Sequence, residues 1–236
     1  MIEVRKLTKR FRKFNALNDV SFCLRRGRCT GIIGPNGSGK STLIKCLLGL
    51  VRPTDGVILV DDRLADRAGV YRRRIGYMPQ VATFPQDLTG REVIELVVRL
   101  RSERPDHLSY LLDLFDLHTQ MDKRIRTLSG GTRQKLSAVV AAMYDPELLI
   151  LDEPTAGLDP STCRQFKEYL LERKSAGRSI LITTHIISDL DEMADDIVLL
   201  LDGAVHYAGS VRDLKLATDS LHLESAVAHI LERGAA

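Results

Sequence analysis

The residues most able to do chemistry lie between Gly34 and Thr42, where GPNGSGKST places glycines, a lysine and a hydroxyl at the spacing GxxxxGK[ST]. That spacing suits a loop that holds the triphosphate of a nucleotide. Gly34, Gly37 and Gly39 let the backbone curl with its amides turned inward, and Pro35, Asn36 and Ser38 complete the loop. Lys40 is then placed to reach the β and γ phosphates, and Ser41, followed by Thr42, offers a hydroxyl to Mg²⁺. Four fixed positions recur by chance in only about one chain in a hundred of this size.

Two further segments deliver polar groups from apolar runs. LLILD is continuous enough for a strand covered on both faces, and it ends in Asp152 and Glu153. Adjacent acids at the exit of a buried strand are expensive unless a cation or a catalytic task offsets the burial. One carboxylate can hold Mg²⁺ through its water shell while the next orients or deprotonates a water. SILITTHI repeats the design and brings His185 to a strand end, where a γ-phosphate contact is expected.

These groups need elements to position them. CTGIIG reads as a buried strand before the loop, and STLIKCLLGL as a helix after it with Leu43, Ile44, Leu47 and Leu48 on one stripe. Upstream, IEVRKL and VSFCLR read as two short strands separated by a turn-rich gap holding Phe11 and Phe14, both too exposed for core duty. An aromatic face there could stack on a nucleotide base or form a small apolar cluster under the loop. GVILVDD and RRRIGYMPQ are further short strands, the latter closing on Gln80. From Phe84 to about Asp145 the pattern turns helical. Thr89 and Glu92 form a capping box before Val93, Leu96, Val97 and Leu100; Leu108, Leu111, Leu112 and Phe115 follow, then Leu136, Val139, Val140 and Met143. DIVLLLDGAVHYAG predicts a hairpin around Asp202 and Gly203, and a helix over about 222–233 ends the chain with Leu223, Ala226, Val227, Ile230 and Leu231 on one face.

Composition narrows the class. The chain has 236 residues, 44% hydrophobic and 28% charged, as soluble globular proteins do. No apolar run approaches the roughly 18 residues of a membrane span, and the opening MIEVRKLTKR lacks a signal core, so a cytoplasmic location is expected. A net charge of +3 with both signs interspersed falls short of a nucleic-acid binder's basic footprint. The four cysteines, Cys23, Cys29, Cys46 and Cys163, form no metal-binding pattern and are expected as reduced core or helix residues.

Taken in order, the motifs resemble those of the ATP-binding cassette (ABC) ATPases over almost the whole chain: GPNGSGKST, the loop ending at Gln80, the signature LSGGTRQ from Leu128 to Gln134, LLILDEP, GLDP from Gly157 to Pro160, and His185. The resemblance implies an α/β fold: a P-loop NTPase core with a mostly parallel sheet, an N-terminal antiparallel β subdomain and an inserted helical subdomain at about 84–145, all within one nucleotide-binding domain over 1–236. It implies ATP and Mg²⁺ as ligands, the ion resting on Ser41, Gln80 and Asp152. Glu153 would be the base, and Lys40, Gln80 and His185 would act beside it. The family's base-stacking aromatic, ahead of the AL..VSF segment, matches Phe11, which is therefore expected at the base.

The signature also has a physical reading of its own. Ser129 is a good helix N-cap, and Gly130 and Gly131 leave backbone amides bare, which makes an anion site. In the family's head-to-tail dimer that site would close on ATP held by Lys40 of the other subunit, with Asp159 at the seam.

The implied function is the ATPase subunit of a transporter, bound to an integral membrane permease at the inner face of the membrane. The ending LESAVAHILER resembles exporter ATPases, and FPQDLTGREVIELVVRLR is similar to ATPases of copper-enzyme maturation, including the nitrous oxide reductase branch. The alternative is a soluble cassette acting on ribosomes or nucleic acid. Such proteins usually carry two cassettes or a long coiled-coil insertion, and neither stands here.

Overall fold

The first two strands are longer than their apolar patterns suggest. In the computed structural model, which describes residues 2–65 and 69–234, β1 (Ile2–Phe11) and β2 (Phe14–Leu24) form an antiparallel hairpin whose turn is only Arg12 and Lys13. The expected turn-rich gap is thus mostly strand. Register shifts at three places along β1 break the alternation of buried and exposed positions, so the pair does not read as two continuous strands in the sequence. Cys23 faces outward on β2, contrary to its expected place in the core or a helix, because it falls between the inward Phe22 and Leu24. Cys29 and Cys46 are buried and Cys163 is half-buried.

β3 (Cys29–Ile33) is buried along its length and leads through the glycine-rich loop into α1 (Lys40–Leu47). β4 (Asp55–Val60) and the short β5 (Arg63–Leu64) add to the hairpin, giving an antiparallel sheet in the order β2-β1-β4-β5. The expected stripe of α1 is buried: Leu43, Ile44, Leu47 and Leu48 pack in one core with Val4, Leu7 and Val20 of the antiparallel sheet and Ile32, Leu181 and Val198 of the second sheet.

That second sheet carries the chemistry. β6 (Ile75–Met78) follows a 3₁₀ turn, and α2 (Gly90–Arg101), α3 (Leu108–Leu114) and α4 (Gly130–Ala142) form the helical segment. β7 (Leu148–Asp152), α5 (Pro160–Ser175), β8 (Ser179–Thr184), α6 (Ile187–Asp191), β9 (Asp196–Leu201), β10 (Ala204–Ser210), α7 (Val211–Ala217) and α8 (Leu223–Gly234) complete the chain. The sheet order is β10-β9-β3-β8-β7-β6, parallel except for the edge strand β10. The loops after β3, β8 and β7 therefore open side by side at the carboxyl end of the sheet, the usual place for a ligand in an α/β fold.

α2 departs from its expected stripe. Its capping box forms as read, with the Thr89 hydroxyl accepting from Glu92 N and the Glu92 carboxylate accepting from Thr89 N at 2.7 Å. Its inward face is Gly90, Val93, Ile94, Val97, Val98 and Arg101, whereas Leu96 and Leu100 are 43% and 75% exposed. The sequence offers two overlapping apolar stripes, and packing turns both β-branched pairs inward, Val93–Ile94 and Val97–Val98. α4 presses so closely on β6 that a Cβ on Gly76 would lie 2.0 Å from the Ala141 carbonyl oxygen. In α8, Leu223, Ala226 and Val227 are buried as expected, but Leu231 is 40% exposed.

Candidate functional site

The phosphate loop is shaped by close backbone approaches. Gly39, the residue before α1, has φ +106°, and a Cβ there would lie 2.5 Å from the Ala16 carbonyl oxygen. Gly34 has an ordinary backbone, but its Cβ would fall 2.2 Å from the Leu200 carbonyl oxygen, so β9 closes against the loop only because no side chain intervenes. At the start of α1, Lys40 is buried and donates from Nζ to the carbonyls of Gly34 at 2.6 Å and Pro35 at 3.0 Å. Burial lowers the pKa of this ammonium, opposed by the charges of Glu153 and Asp152.

The two acids at the end of β7 have different surroundings. Asp152 is buried, paired in register with Thr183 of β8, and accepts from the Thr183 hydroxyl and, at 3.4 Å, from Ser41 Oγ. Glu153 is also buried. Its φ of +52° is a strained value for a residue with a Cβ, and its N–H donates to the Thr183 carbonyl at 2.9 Å. That twist turns the carboxylate toward His185, whose Nδ1 lies 2.6 Å from Glu153 Oε2 while most of the ring stays exposed. Thr183 was not picked out as a site residue from sequence. Its signal is a hydroxyl two positions before His185, on a strand that must neighbour the acidic one.

Asn36, Gly37, Gly39, Lys40, Ser41, Thr42, Gln80, Asp152 and Glu153 surround one open cleft of about 360 Å³, within the range of small-molecule and cofactor pockets. The cleft brings Ser41, Gln80 and Asp152 together, an all-oxygen set suited to a hard cation such as Mg²⁺. Phe14 and Ala16, two apart on β2 and so on one face of the strand, line it as well. Phe11 does not line it: its ring carries the Lys9 ammonium, 4.8 Å from the ring centroid. The ring that borders the cleft is therefore Phe14, whereas Phe11, expected at the base, lies outside its lining. Pro35, Ser38 and His185 adjoin the cleft through the chain without lining it.

Ser129, Gly130 and Gly131 are not brought to the cleft. Ser129 caps α4 as expected, its hydroxyl oxygen accepting from Thr132 N at 3.1 Å, and Ser129 and Gly130 are exposed. Asp159 caps α5 by accepting from Thr162 N at 3.0 Å and from the Thr162 hydroxyl at 2.6 Å; these bonds, with Lys135 nearby, hold its pKa down at about 2. Lys135 Nζ of α4 lies 3.6 Å from Asp159, and a Cβ on Gly131 would sit 2.9 Å from the Gly157 carbonyl oxygen. The signature helix and the GLDP loop thus touch within one chain, both away from the cleft.

Known proteins are similar to this chain in sequence and fold. The family described as ABC transporter matches residues 17–156. The chain belongs to that family. An uncharacterized ABC transporter ATP-binding protein of Bacillus subtilis, YxlF, is 32% identical over 219 residues, covering 91% of this chain and 72% of the relative. Nod factor export ATP-binding protein I of Burkholderia lata is 36% identical over 207 residues, covering 86% and 68%. Among solved structures, an ATP-binding subunit of an ABC transporter superposes with a TM-score of 0.90 at 30% identity over 98% of this chain and 99% of that one. A dimeric bacterial ABC transporter cassette gives 0.81 at 25% identity over 89% and 98%. The chain is thus an ABC ATPase cassette, the ATP-binding subunit of a transporter, with the α/β P-loop fold expected from its motifs.

Proposed function

We propose that residues 1–236 act as one nucleotide-binding domain that hydrolyses Mg-ATP in a head-to-tail dimer and so drives a separate permease, in the direction of export. The observation that carries the proposal is the 2.6 Å contact of His185 with Glu153 beside the cleft of Lys40, Ser41 and Asp152.

Lys40 exchanges its two carbonyl partners for β- and γ-phosphate oxygens of ATP. Ser41, Asp152 and Gln80 would hold Mg²⁺, which would supply positive charge against the phosphates. Phe14 offers its ring to adenine. Glu153 takes a proton from the attacking water as that oxygen bonds to the γ-phosphorus and the bond to the β–γ bridging oxygen breaks, releasing ADP. His185 orients Glu153 and faces the γ-phosphate. The exposed amides at Ser129, Gly130 and Gly131 supply the second anion site, to the ATP of the other subunit.

Among the described residues no helix is long and apolar enough to cross a membrane; in this proposal the permease is a separate chain and this subunit sits on its cytoplasmic side. Val81, Leu96 and Leu100 leave apolar surface beside Gln80 and on α2 for that contact, with Val81 71% exposed. Export is supported by relatives named for Nod factor export and by the LESAVAHILER ending. A role in copper-enzyme maturation has only the likeness of the 84–101 segment behind it. Affinity purification from detergent-extracted membranes tests the proposal: an integral membrane protein should copurify, and recovery with ribosomes or nucleic acid instead would refute it.

A further inference from the structure

Asp189 stands in α6, four residues after His185, and its carboxylate leads back to the segment that carries Glu153. One oxygen accepts from Lys167 Nζ of α5 at 2.7 Å, and the other accepts from the Thr155 hydroxyl at 3.3 Å. Thr155 lies two residues past Glu153, in a turn closed by Ala156 N donating to the Glu153 carbonyl at 3.2 Å. Its own carbonyl accepts from Leu158 N at 3.2 Å, next to the Asp159 cap of α5. One carboxylate therefore joins three pieces: the arm of His185, the turn of Glu153 and the helix that Asp159 starts.

The surroundings strengthen the junction. The Lys167 and Asp189 side chains are only 23% and 24% exposed and sit over an apolar floor that includes Phe166, Leu170 and Met193, where a charge-assisted hydrogen bond is stronger than in water. Asp191, at the end of α6, accepts from Lys215 Nζ and, at 3.1 Å, from Leu223 N, so the short helix is tied by two of its five residues. Glu153 needs such a frame. A left-handed backbone at a residue with a side chain persists only when its neighbours over-determine it.

We infer that Asp189 is a positioning residue for hydrolysis: through Thr155 and Lys167 it holds the His185 arm against the Glu153 turn and fixes the contact between those two side chains. Asp189 acts through that pair, so its role rests on the hydrolytic assignment of Glu153 and His185 above.

The test is phosphate release by the full chain with Mg-ATP, alongside the ATP dissociation constant and Tm, for Asp189→Asn, Thr155→Val, Thr155→Ser and Glu153→Gln. A displaced catalytic pair is expected to lower kcat about ten- to a hundredfold in Asp189→Asn and several-fold in Thr155→Val. ATP affinity should stay within about twofold, and Thr155→Ser should recover the parent kcat because it restores the hydroxyl. If Asp189→Asn fails to fold, the valine and serine variants decide. Parent kcat in Asp189→Asn and Thr155→Val, or losses that only track the folded fraction and are not relieved by serine, would overturn the role of Asp189. Full turnover in Glu153→Gln would instead overturn the assignment beneath it.

Discussion

His185 Nδ1 and Glu153 Oε2 lie 2.6 Å apart, so the side chains that end two neighbouring strands form one unit at the mouth of the nucleotide cleft. The imidazole is exposed and the carboxylate is buried. The exposed member can meet a phosphate while the buried one is held in place. His185→Ala should leave Glu153 without its orienting partner and lower kcat about 10²-fold, the usual scale for a general-base pathway. ATP affinity should change by less than about threefold, since Lys40 and the loop amides remain. Steady-state phosphate release paired with equilibrium binding of an ATP analogue separates the two effects.

Phe14, which lines the cleft, and Phe11, which does not, make a paired prediction. Base stacking on an aromatic is worth about 1–2 kcal/mol, roughly tenfold in Kd. Phe14→Ala should weaken ATP binding by about that factor, whereas Phe11→Ala should leave it within twofold. Isothermal titration of both variants would check this, and the reverse ranking would restore Phe11 as the stacking ring.

At Gly76 the contact is between β6 and α4. Any side chain there meets the Ala141 backbone rather than a movable side-chain tip. Gly76→Ala should destabilise the fold by about 1–3 kcal/mol, as overpacking does, and lower Tm by several degrees. It should also reduce turnover, because β6 leads directly to Gln80. Thermal denaturation with a matched activity assay would show both.

How much of this was legible depends on how local each feature is. The phosphate loop, the Ser129 cap and the Thr89–Glu92 capping box are each written in a few consecutive residues, and each forms as read. Asp152 and Glu153 were legible because an apolar run ending in two acids needs a reason. The contact of Thr183 with Asp152 was not, since it depends on the register between two strands 31 residues apart. The sequence alone leaves the rotation of α2 open because its apolar residues exceed what one face needs, and only packing chooses the buried set. That Phe14 rather than Phe11 lines the cleft was hidden for a similar reason: it follows from a two-residue hairpin turn whose position is blurred by bulges.

The cysteines report on the same packing. Burial pushes the Cys29 and Cys46 thiols up to about 12 and about 11, while Cys23 is exposed on β2. At pH 8 a thiol reagent should modify Cys23 first and Cys163 more slowly, leaving Cys29 and Cys46 untouched until the protein unfolds. Mass-spectrometric mapping of the labelled sites over time would check the order, and early labelling of Cys29 would contradict the buried place of β3.

The most direct test of the composite site is the oligomeric state of Glu153→Gln with Mg-ATP, measured by light scattering after size exclusion. The variant should form an ATP-dependent dimer that retains unhydrolysed nucleotide, and adding Ser129→Arg should return it to monomer while each subunit still binds ATP. A Glu153→Gln protein that stays monomeric with ATP bound, or that hydrolyses ATP at the parent rate, would contradict the account.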